Sequence, residues 1–262
     1  MNKYSLSNCL MCIPAIIAVF LSGCITTEYS VATHKQDIFF YSTQKEIKLG
    51  KSVSRRINKK YKLVKDPRLN KKVFDIGRKV SAVCGRKELN YYFYIIDDDT
   101  KNAFSLPGGY VYIYKGLLDI LDNDDQIAFI LGHEIGHIVA RHSIKRLQAS
   151  LGANLLLLAS SQVKSSGSSA PGTVSLILAV VTSGYSQEDE FLADKLGCEY
   201  AKKAGFDPSA GIKVLKKLEA EHRKEKARPL AYFRSHPFTV QRIKMMKEEL
   251  GIPLNFRDVV ND

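Results

Sequence analysis

The sequence predicts an α+β fold that is mainly helical, with a small antiparallel sheet beside a helix that carries His-Glu-Ile-Gly-His at residues 133–137. Three observations predict this fold. Apolar residues recur at helical spacing around the pentapeptide, two earlier segments carry helical patterns, and two short β-rich runs flank a Pro-Gly-Gly turn. A chain of 262 residues has room for one substantial core, and nothing in the sequence indicates a second folded domain.

The first 23 residues are interpreted as a signal peptide and stand outside the predicted fold. Residues 9–21 are apolar but too short to span a membrane comfortably, and Leu-Ser-Gly-Cys follows at residues 21–24. This pattern is similar to a bacterial lipoprotein signal and predicts lipidation of Cys24; an ordinary secretory signal is the alternative. In either case we expect export, and several acyl chains would hold the protein stably on a membrane. Ile25, which is not acidic, favours the outer membrane, with the protein facing the periplasm.

Residues 24–43 are polar with scattered aromatic side chains, and we interpret them as a tether to a folded body at residues 44–262. The body begins with a helical pattern over residues 44–61. Asp66-Pro67 is typical of a helix start and predicts a second helix that runs to about Cys84.

Two β-rich runs follow, at residues 90–96 and 110–114. The Pro-Gly-Gly turn at residues 107–109 predicts that they are neighbours in a small antiparallel sheet. We expect the alternating tyrosines of the second run to pack on one sheet face. The backbone of a free sheet edge is a candidate site for an extended peptide, which would be added as an extra strand.

The pentapeptide at residues 133–137 is a candidate zinc site. On a helix, His133 and His137 lie one turn apart on the same face, where both imidazoles can bind one tetrahedral Zn²⁺. Glu134 is then placed to act as the general base on a water molecule. The surrounding apolar residues predict a buried helix, in which two histidines and a glutamate need polar partners.

A catalytic zinc site needs a third protein ligand. The metzincin pattern is excluded, because it requires Gly and His where this chain has Ala140 and Ser143. His142 is close in sequence, but on a continuous helix it would point about 180° away from His133.

An acidic segment at residues 188–194 offers other candidates for the third ligand. Glu190 and Asp194 fall one turn apart on one helical face, so one carboxylate could bind zinc while the other accepts an N–H from a ligand histidine. Spacing alone does not choose among Glu188, Asp189 and Glu190, and an exposed acidic cluster without a metal is the alternative.

Residues 151–183 contain two apolar pieces separated by a Ser/Gly/Pro-rich piece at residues 165–172. Neither piece approaches the roughly 20 apolar residues of a membrane span. We interpret this segment as a helical hairpin packed on the core, with membrane contact or a lid over the cleft as alternatives.

The chain has a formal net charge of +12, with basic stretches at residues 55–72 and 213–228. We interpret these stretches as solvated helix faces, with apposition to an anionic lipid surface as the alternative. No nucleic-acid partner is expected, because no basic motif interleaved with aromatic residues is present. Export to an oxidising compartment would permit a disulfide between Cys84 and Cys198.

Four ordered motifs carry a family resemblance over residues 44–250. They are NAFSLPGG at 102–109, HEIGH at 133–137, EFLAD at 190–194, and SHP at 235–237 followed by Arg242. Together they resemble the gluzincin metallopeptidases related to the heat-shock protease HtpX and the type I CAAX prenyl protease. The resemblance implies a zincin fold with one zinc ion per chain. Because the sequence lacks the long apolar helices of integral members, it is closer to soluble, lipid-anchored periplasmic members.

The resemblance also implies roles for four residues. Glu190 opens the E-x-x-A-D segment and corresponds to the third zinc ligand, with Asp194 as support for the ligands. His236 corresponds to a residue that stabilises the oxyanion or caps the zinc as a fourth ligand, and Arg242 is its companion in the H-P-x-x-x-x-R segment.

These features predict a lipid-anchored zinc metalloendopeptidase of the bacterial envelope that hydrolyses exported or misfolded proteins in quality control. The expected partners are polypeptide substrates, the membrane and outer-membrane assembly machinery. One alternative is a non-proteolytic chaperone or assembly factor for outer-membrane proteins that retains the zinc fold. Another is a structural zinc with His236 as a permanent fourth ligand.

Overall fold

The structure is a computed structural model that describes residues 26–30, 32–33, 35–160, 179, 183–224, 230–237 and 240–255, with the backbone alone for 26–29 and 153–160. The expected signal peptide, the lipidation site Cys24 and residues 161–178 of the expected hairpin lie outside the described residues. The described strands are β1 (Thr26–Ser30), β2 (Lys35–Phe39), β3 (Tyr92–Ile96), β4 (Ala103–Leu106) and β5 (Tyr110–Tyr114). The described helices are α1 (Thr43–Lys60), α2 (Pro67–Val83), α3 (Lys115–Leu118), α4 (Asp124–Val139), α5 (His142–Ser160), α6 (Gln187–Lys203), α7 (Ala210–Lys224), α8 (Ala231–Ser235) and α9 (Val240–Glu249).

Helices form most of the described structure, and a three-stranded sheet packs beside α4 through β4, which confirms the predicted fold class. The strand order is β3-β5-β4, with β3 parallel and β4 antiparallel to β5. The predicted antiparallel pairing of the runs at 90–96 and 110–114 was therefore wrong. The Pro-Gly-Gly turn instead joins β5 to β4, a strand that the sequence analysis did not identify.

The turn between β4 and β5 requires its two glycines. Gly108 and Gly109 have φ angles of 78° and 98°, and a Cβ at Gly109 would lie 2.1 Å from the Asn90 carbonyl oxygen. The tyrosines of β5 are buried as expected, and the Tyr112 ring stacks on the rings of Phe104 and Tyr94, with centroids 5.0 and 5.1 Å away. The sheet therefore offers a packed aromatic face, and β4 lies at its edge.

Helix α4 is the central element of the core. The Asn123 side chain accepts a hydrogen bond from the Gln126 N–H at its N-terminus, and every residue from 126 to 139 is buried. Its main partner is α6, and the two backbones approach closely at glycines. A Cβ at Gly197 would lie 3.0 Å from the backbone nitrogen of His133. This close approach holds the acidic start of α6 against the His-Glu-Ile-Gly-His segment.

The described part of the expected tether is structured. Strands β1 and β2 pair as an antiparallel hairpin, and the Phe39 side chain is buried. Lys145 of α5 forms an ion pair with Asp37 at 2.7 Å, and the Phe40 N–H donates to Gln148 at 3.0 Å. Residues 35–40 thus contact α5, so this part of the expected tether lies against the folded body. No helix among the described residues combines the length and the apolar character that crossing a bilayer requires.

The disulfide that the sequence permitted between Cys84 and Cys198 is not formed in the structure, where both cysteines are free and buried. The Cys84 thiol follows α2 and donates to the Tyr91 hydroxyl at 3.2 Å. Cys198 lies on α6, where burial raises the pKa of its thiol to about 12. Each cysteine is therefore a small buried side chain in its own local environment and is not bonded to the other.

Candidate metal centre

Four buried side chains converge between α4, α6 and the chain after α8: His133, His137, Glu190 and His236. One nitrogen or oxygen atom from each lies within 4.8 Å of the others, and each residue is at most 1% exposed. His133 Nε2 is 3.1 Å from His137 Nε2 and 3.2 Å from His236 Nδ1, while His137 Nε2 is 3.4 Å from a Glu190 oxygen. Converging imidazole nitrogens and one carboxylate are the donor set that zinc prefers, so these residues fit a single metal ion.

Glu134 lies beside this cluster and is completely buried. Neither of its carboxylate oxygens accepts a hydrogen bond from a described residue, and His236 Nε2 lies 3.4 Å from Oε1. A buried carboxylate without hydrogen bonds is costly unless a ligand or water engages it. The structure therefore places a buried carboxylate without hydrogen bonds from described residues next to the four candidate ligands.

Asp194 and Arg242 lie behind the cluster and are paired with each other. The Asp194 Oδ1 atom is 3.0 Å from His133 Nδ1, and Arg242 binds both Asp194 oxygens at 2.7 Å. A further guanidinium nitrogen of Arg242 lies 2.7 Å from Glu190 Oε2. Burial alone would raise the pKa of both carboxyl groups, but the Arg242 charge together with contacts to the neighbouring histidines outweighs burial and lowers each pKa, that of Glu190 markedly.

His236 is held in place by the segment that contains β4. Its backbone N–H donates to the Tyr232 carbonyl at 2.8 Å, and the Tyr232 N–H donates to the Lys101 carbonyl at 3.1 Å. The Ser235 hydroxyl lies 3.4 Å from the Asn102 side-chain oxygen. Burial tends to lower the pKa of His236, but the charges of Glu190 and Glu134 outweigh it and raise the pKa. The first and last of the four sequence motifs therefore meet at this histidine.

The acidic segment at the start of α6 is divided among three environments. Glu190 enters the cluster, Glu188 is exposed, and Asp189 lies between them, with Oδ1 3.2 Å from His142 Nε2. Asp189 also completes a capping box with Ser186. The structure thus resolves the choice of carboxylate that spacing alone left open.

The expectation that His142 faces away from the site was wrong. Helix α4 ends at Val139, and Arg141 has a positive φ of 57°, which breaks the helix before α5 begins. After this break His142 is buried, with its Nδ1 atom 2.8 Å from His137 Nδ1. Burial lowers the pKa of His142 to about 4. One continuous helix was expected, because no Gly or Pro between residues 139 and 142 signals the break.

Tyr185 is a second residue of the site that the sequence analysis did not identify. Its ring stacks on the His137 ring with centroids 3.9 Å apart, and its hydroxyl lies 3.0 Å from the Ser143 hydroxyl. The side chain is buried and forms one wall of the centre. Nothing in the surrounding sequence distinguished this tyrosine from a core residue.

A groove of about 590 Å³ is lined in part by Ser235, the residue before His236. It runs past Asn102 and Phe104, at the start of the edge strand β4, and it is also lined by Arg56 and Arg234. The groove is large enough for peptide side chains and lies beside the sheet edge and Ser235.

A model of peptidase family M48 matches residues 67–250. The chain belongs to peptidase family M48. Membership in this family implies a metal cofactor, and the matched residues contain the entire four-residue cluster together with Glu134, Asp194 and Arg242.

Several characterised M48-type proteins are similar to this chain. A beta-barrel assembly-enhancing protease of Yersinia pestis is 28% identical over 213 residues, which cover 77% of this chain and 43% of that protein. Mitochondrial metalloendopeptidase OMA1 of Schizosaccharomyces pombe is 30% identical over 174 residues, covering 66% of this chain and 50% of that protein. Metalloprotease LoiP of Escherichia coli is 28% identical over 167 residues, covering 62% of this chain and 63% of that protein. The chain spans about half the length of the first two of these relatives.

Proposed function

We propose that this protein is a zinc-dependent metalloendopeptidase that hydrolyses internal peptide bonds of polypeptides. The observation that carries the proposal is the buried Glu134 carboxylate, free of hydrogen bonds from described residues, beside the cluster of His133, His137, Glu190 and His236. The names of the similar proteins, all of which are proteases, support the same reaction.

In this proposal His133, His137 and Glu190 hold one Zn²⁺, which when bound lowers the pKa of a water molecule toward roughly 7 and polarises the substrate carbonyl. Glu134 accepts the proton of the attacking water and passes it to the departing amine. His236 donates a hydrogen bond to the negative oxygen of the tetrahedral intermediate, or occupies the cluster as a fourth ligand when no peptide is bound. Asp194 and Arg242 keep the ligand side chains oriented.

The substrate is proposed to bind as an extended strand along β4. This strand lies at the edge of the sheet, packs against α4 and borders the groove that reaches Ser235. Main-chain hydrogen bonds to a strand edge do not depend on side-chain identity, which suits an enzyme that acts on many unfolded polypeptides.

We further propose that the protein is lipid-anchored at Cys24 in the bacterial envelope, on the periplasmic face of the outer membrane, and that it degrades exported or misfolded proteins. The signal-like pattern before Cys24 supports this location. The name of the Yersinia relative, a beta-barrel assembly-enhancing protease, supports a connection with outer-membrane assembly machinery. The same name keeps a chaperone or assembly role as the second candidate function.

Metal removal tests the proposed function directly. We expect dialysis against a chelator to abolish cleavage of an unfolded test protein, and one equivalent of Zn²⁺ per chain to restore it. Adding zinc to the metal-free protein should also raise its free energy of unfolding, by about 2.7 kcal/mol when free zinc is 100 times the Kd. Cleavage by protein shown to be metal-free by elemental analysis would contradict the proposal.

The role of His236 is tested by X-ray absorption spectroscopy of the zinc-loaded protein. We expect wild-type protein without peptide to have one more nitrogen ligand than His236→Ala, and to lose it when an inhibitory peptide binds. Cleavage by His236→Ala should fall by about 10² to 10³-fold in kcat, as is typical when one oxyanion donor is removed. A fourth ligand that stays in place when peptide binds would support the structural-zinc alternative instead.

A further inference from the structure

Both histidines of the His-Glu-Ile-Gly-His segment have their second ring nitrogen engaged, but by different groups. His133 Nδ1 lies 3.0 Å from the Asp194 carboxylate. His137 Nδ1 lies 2.8 Å from His142 Nδ1, and His142 Nε2 lies 3.2 Å from the Asp189 carboxylate. One histidine therefore contacts a carboxylate directly, whereas the other reaches a carboxylate through a second imidazole.

The contact between the two Nδ1 atoms restricts where protons can lie. Only one of two facing nitrogens can carry a hydrogen, because the other must supply the lone pair that accepts it. The Asp189 carboxylate is an acceptor, so it favours the His142 tautomer that carries its hydrogen on Nε2. His142 Nδ1 is then the acceptor for the His137 Nδ1 hydrogen. His137 is left with the lone pair of Nε2 pointing at the cluster.

We propose that His142 and Asp189 are positioning residues that set the tautomer and ring orientation of His137 and thereby strengthen metal binding. This proposal rests on the proposed function only in assuming that the cluster binds zinc. Groups that accept the free N–H of a ligand histidine typically change metal affinity or activity by about 10 to 100-fold. In this protein the accepting group is the His142 imidazole, which follows the helix break at Arg141 and contacts His137.

The left-handed conformation of Arg141 is stabilised by residues distant in sequence. The Arg141 guanidinium forms an ion pair with the buried Glu46 at 2.9 Å and donates to the Tyr41 carbonyl. Glu46 also binds Arg86 at 2.9 Å. A non-glycine residue in the left-handed region is strained, and this conformation persists only where surrounding contacts over-determine it. Strain maintained beside a ligand histidine supports a functional reason for the position of His142.

The test compares zinc affinity in three forms: wild type, His142→Phe and His142→Asn, by competition with a chromophoric chelator. We expect His142→Phe to bind zinc about 10 to 100 times more weakly, because it removes the acceptor. His142→Asn should recover part of the affinity, since its amide oxygen lies near the position of Nδ1. The melting temperature of each metal-free protein is measured alongside, and a purely structural role would lower it in both variants without a difference in zinc affinity.

Asp189 provides an independent arm, which remains informative if His142→Phe does not fold. We expect Asp189→Ala to weaken zinc binding and Asp189→Asn to retain most of it, because the amide oxygen can still accept from His142. Ser186→Ala is the matched control, since it removes the other half of the capping box and leaves the Asp189 carboxylate in place. Wild-type zinc affinity in His142→Asn, His142→Phe and Asp189→Ala would overturn the proposal. Absence of zinc binding by wild-type protein would instead overturn the proposed function.

Discussion

Glu134→Gln is expected to abolish peptide hydrolysis while leaving the metal bound. The substitution keeps the size of the side chain but removes its basicity, and Glu134 is not among the four residues whose atoms converge on the candidate metal position. A positioned general base typically contributes about 10²- to 10⁴-fold to the rate. We expect at least this loss in kcat for an unfolded test protein, with the zinc content unchanged by elemental analysis.

The matched control for this variant is Glu188→Gln, which makes the same chemical change at an exposed position of α6. It should cleave at the wild-type rate. Cleavage by Glu134→Gln at that rate would remove Glu134 from the mechanism. Complementation in cells separates the two candidate functions, because a chaperone or assembly factor would still function with Gln at position 134, whereas a protease would not.

The residues that converge at the candidate metal centre were predicted partly from helical spacing and partly from the order of the four motifs. A separation of one helical turn was sufficient to place His133 and His137 on the same face of α4, which the structure confirms. Glu190 could not be selected by spacing, because three acids occur in one turn. The resemblance selected it, together with Asp194, His236 and Arg242, and the structure brings all four to the centre.

The features that were predicted incorrectly depend on contacts between distant parts of the chain. His142 was expected to face away because no local residue breaks the helix; the break at Arg141 is maintained by Glu46, nearly 100 positions earlier in the sequence. The orientation of β3 against β5 was wrong for a similar reason. Turn chemistry located the turn at residues 107–109, but β4 on its N-terminal side was not identified, and the parallel pairing of β3 with β5 is set by a connection whose path has no local signature.

Arg242→Met is expected to destabilise the metal-free protein by about 3 to 5 kcal/mol. Arg242 is completely buried and forms ion pairs at 2.7 Å with both Asp194 and Glu190. Methionine replaces part of the volume but leaves two buried carboxylates without their cation, and an uncompensated buried charge is more costly than the absence of the whole ion pair. Chemical denaturation of the metal-free protein measures this loss.

Two comparisons connect the loss to the buried charge. Arg223→Met makes the same substitution at an exposed arginine of α7 and should change stability by no more than about 0.5 kcal/mol. Adding Asp194→Asn to Arg242→Met should recover part of the lost stability, because it removes one of the two carboxylates that lack a cation. If Arg242→Met unfolds no more readily than Arg223→Met, then the guanidinium does not stabilise the centre. The orientation of Glu190 and of His133 would then have to come from α6 packing against α4 at Gly197.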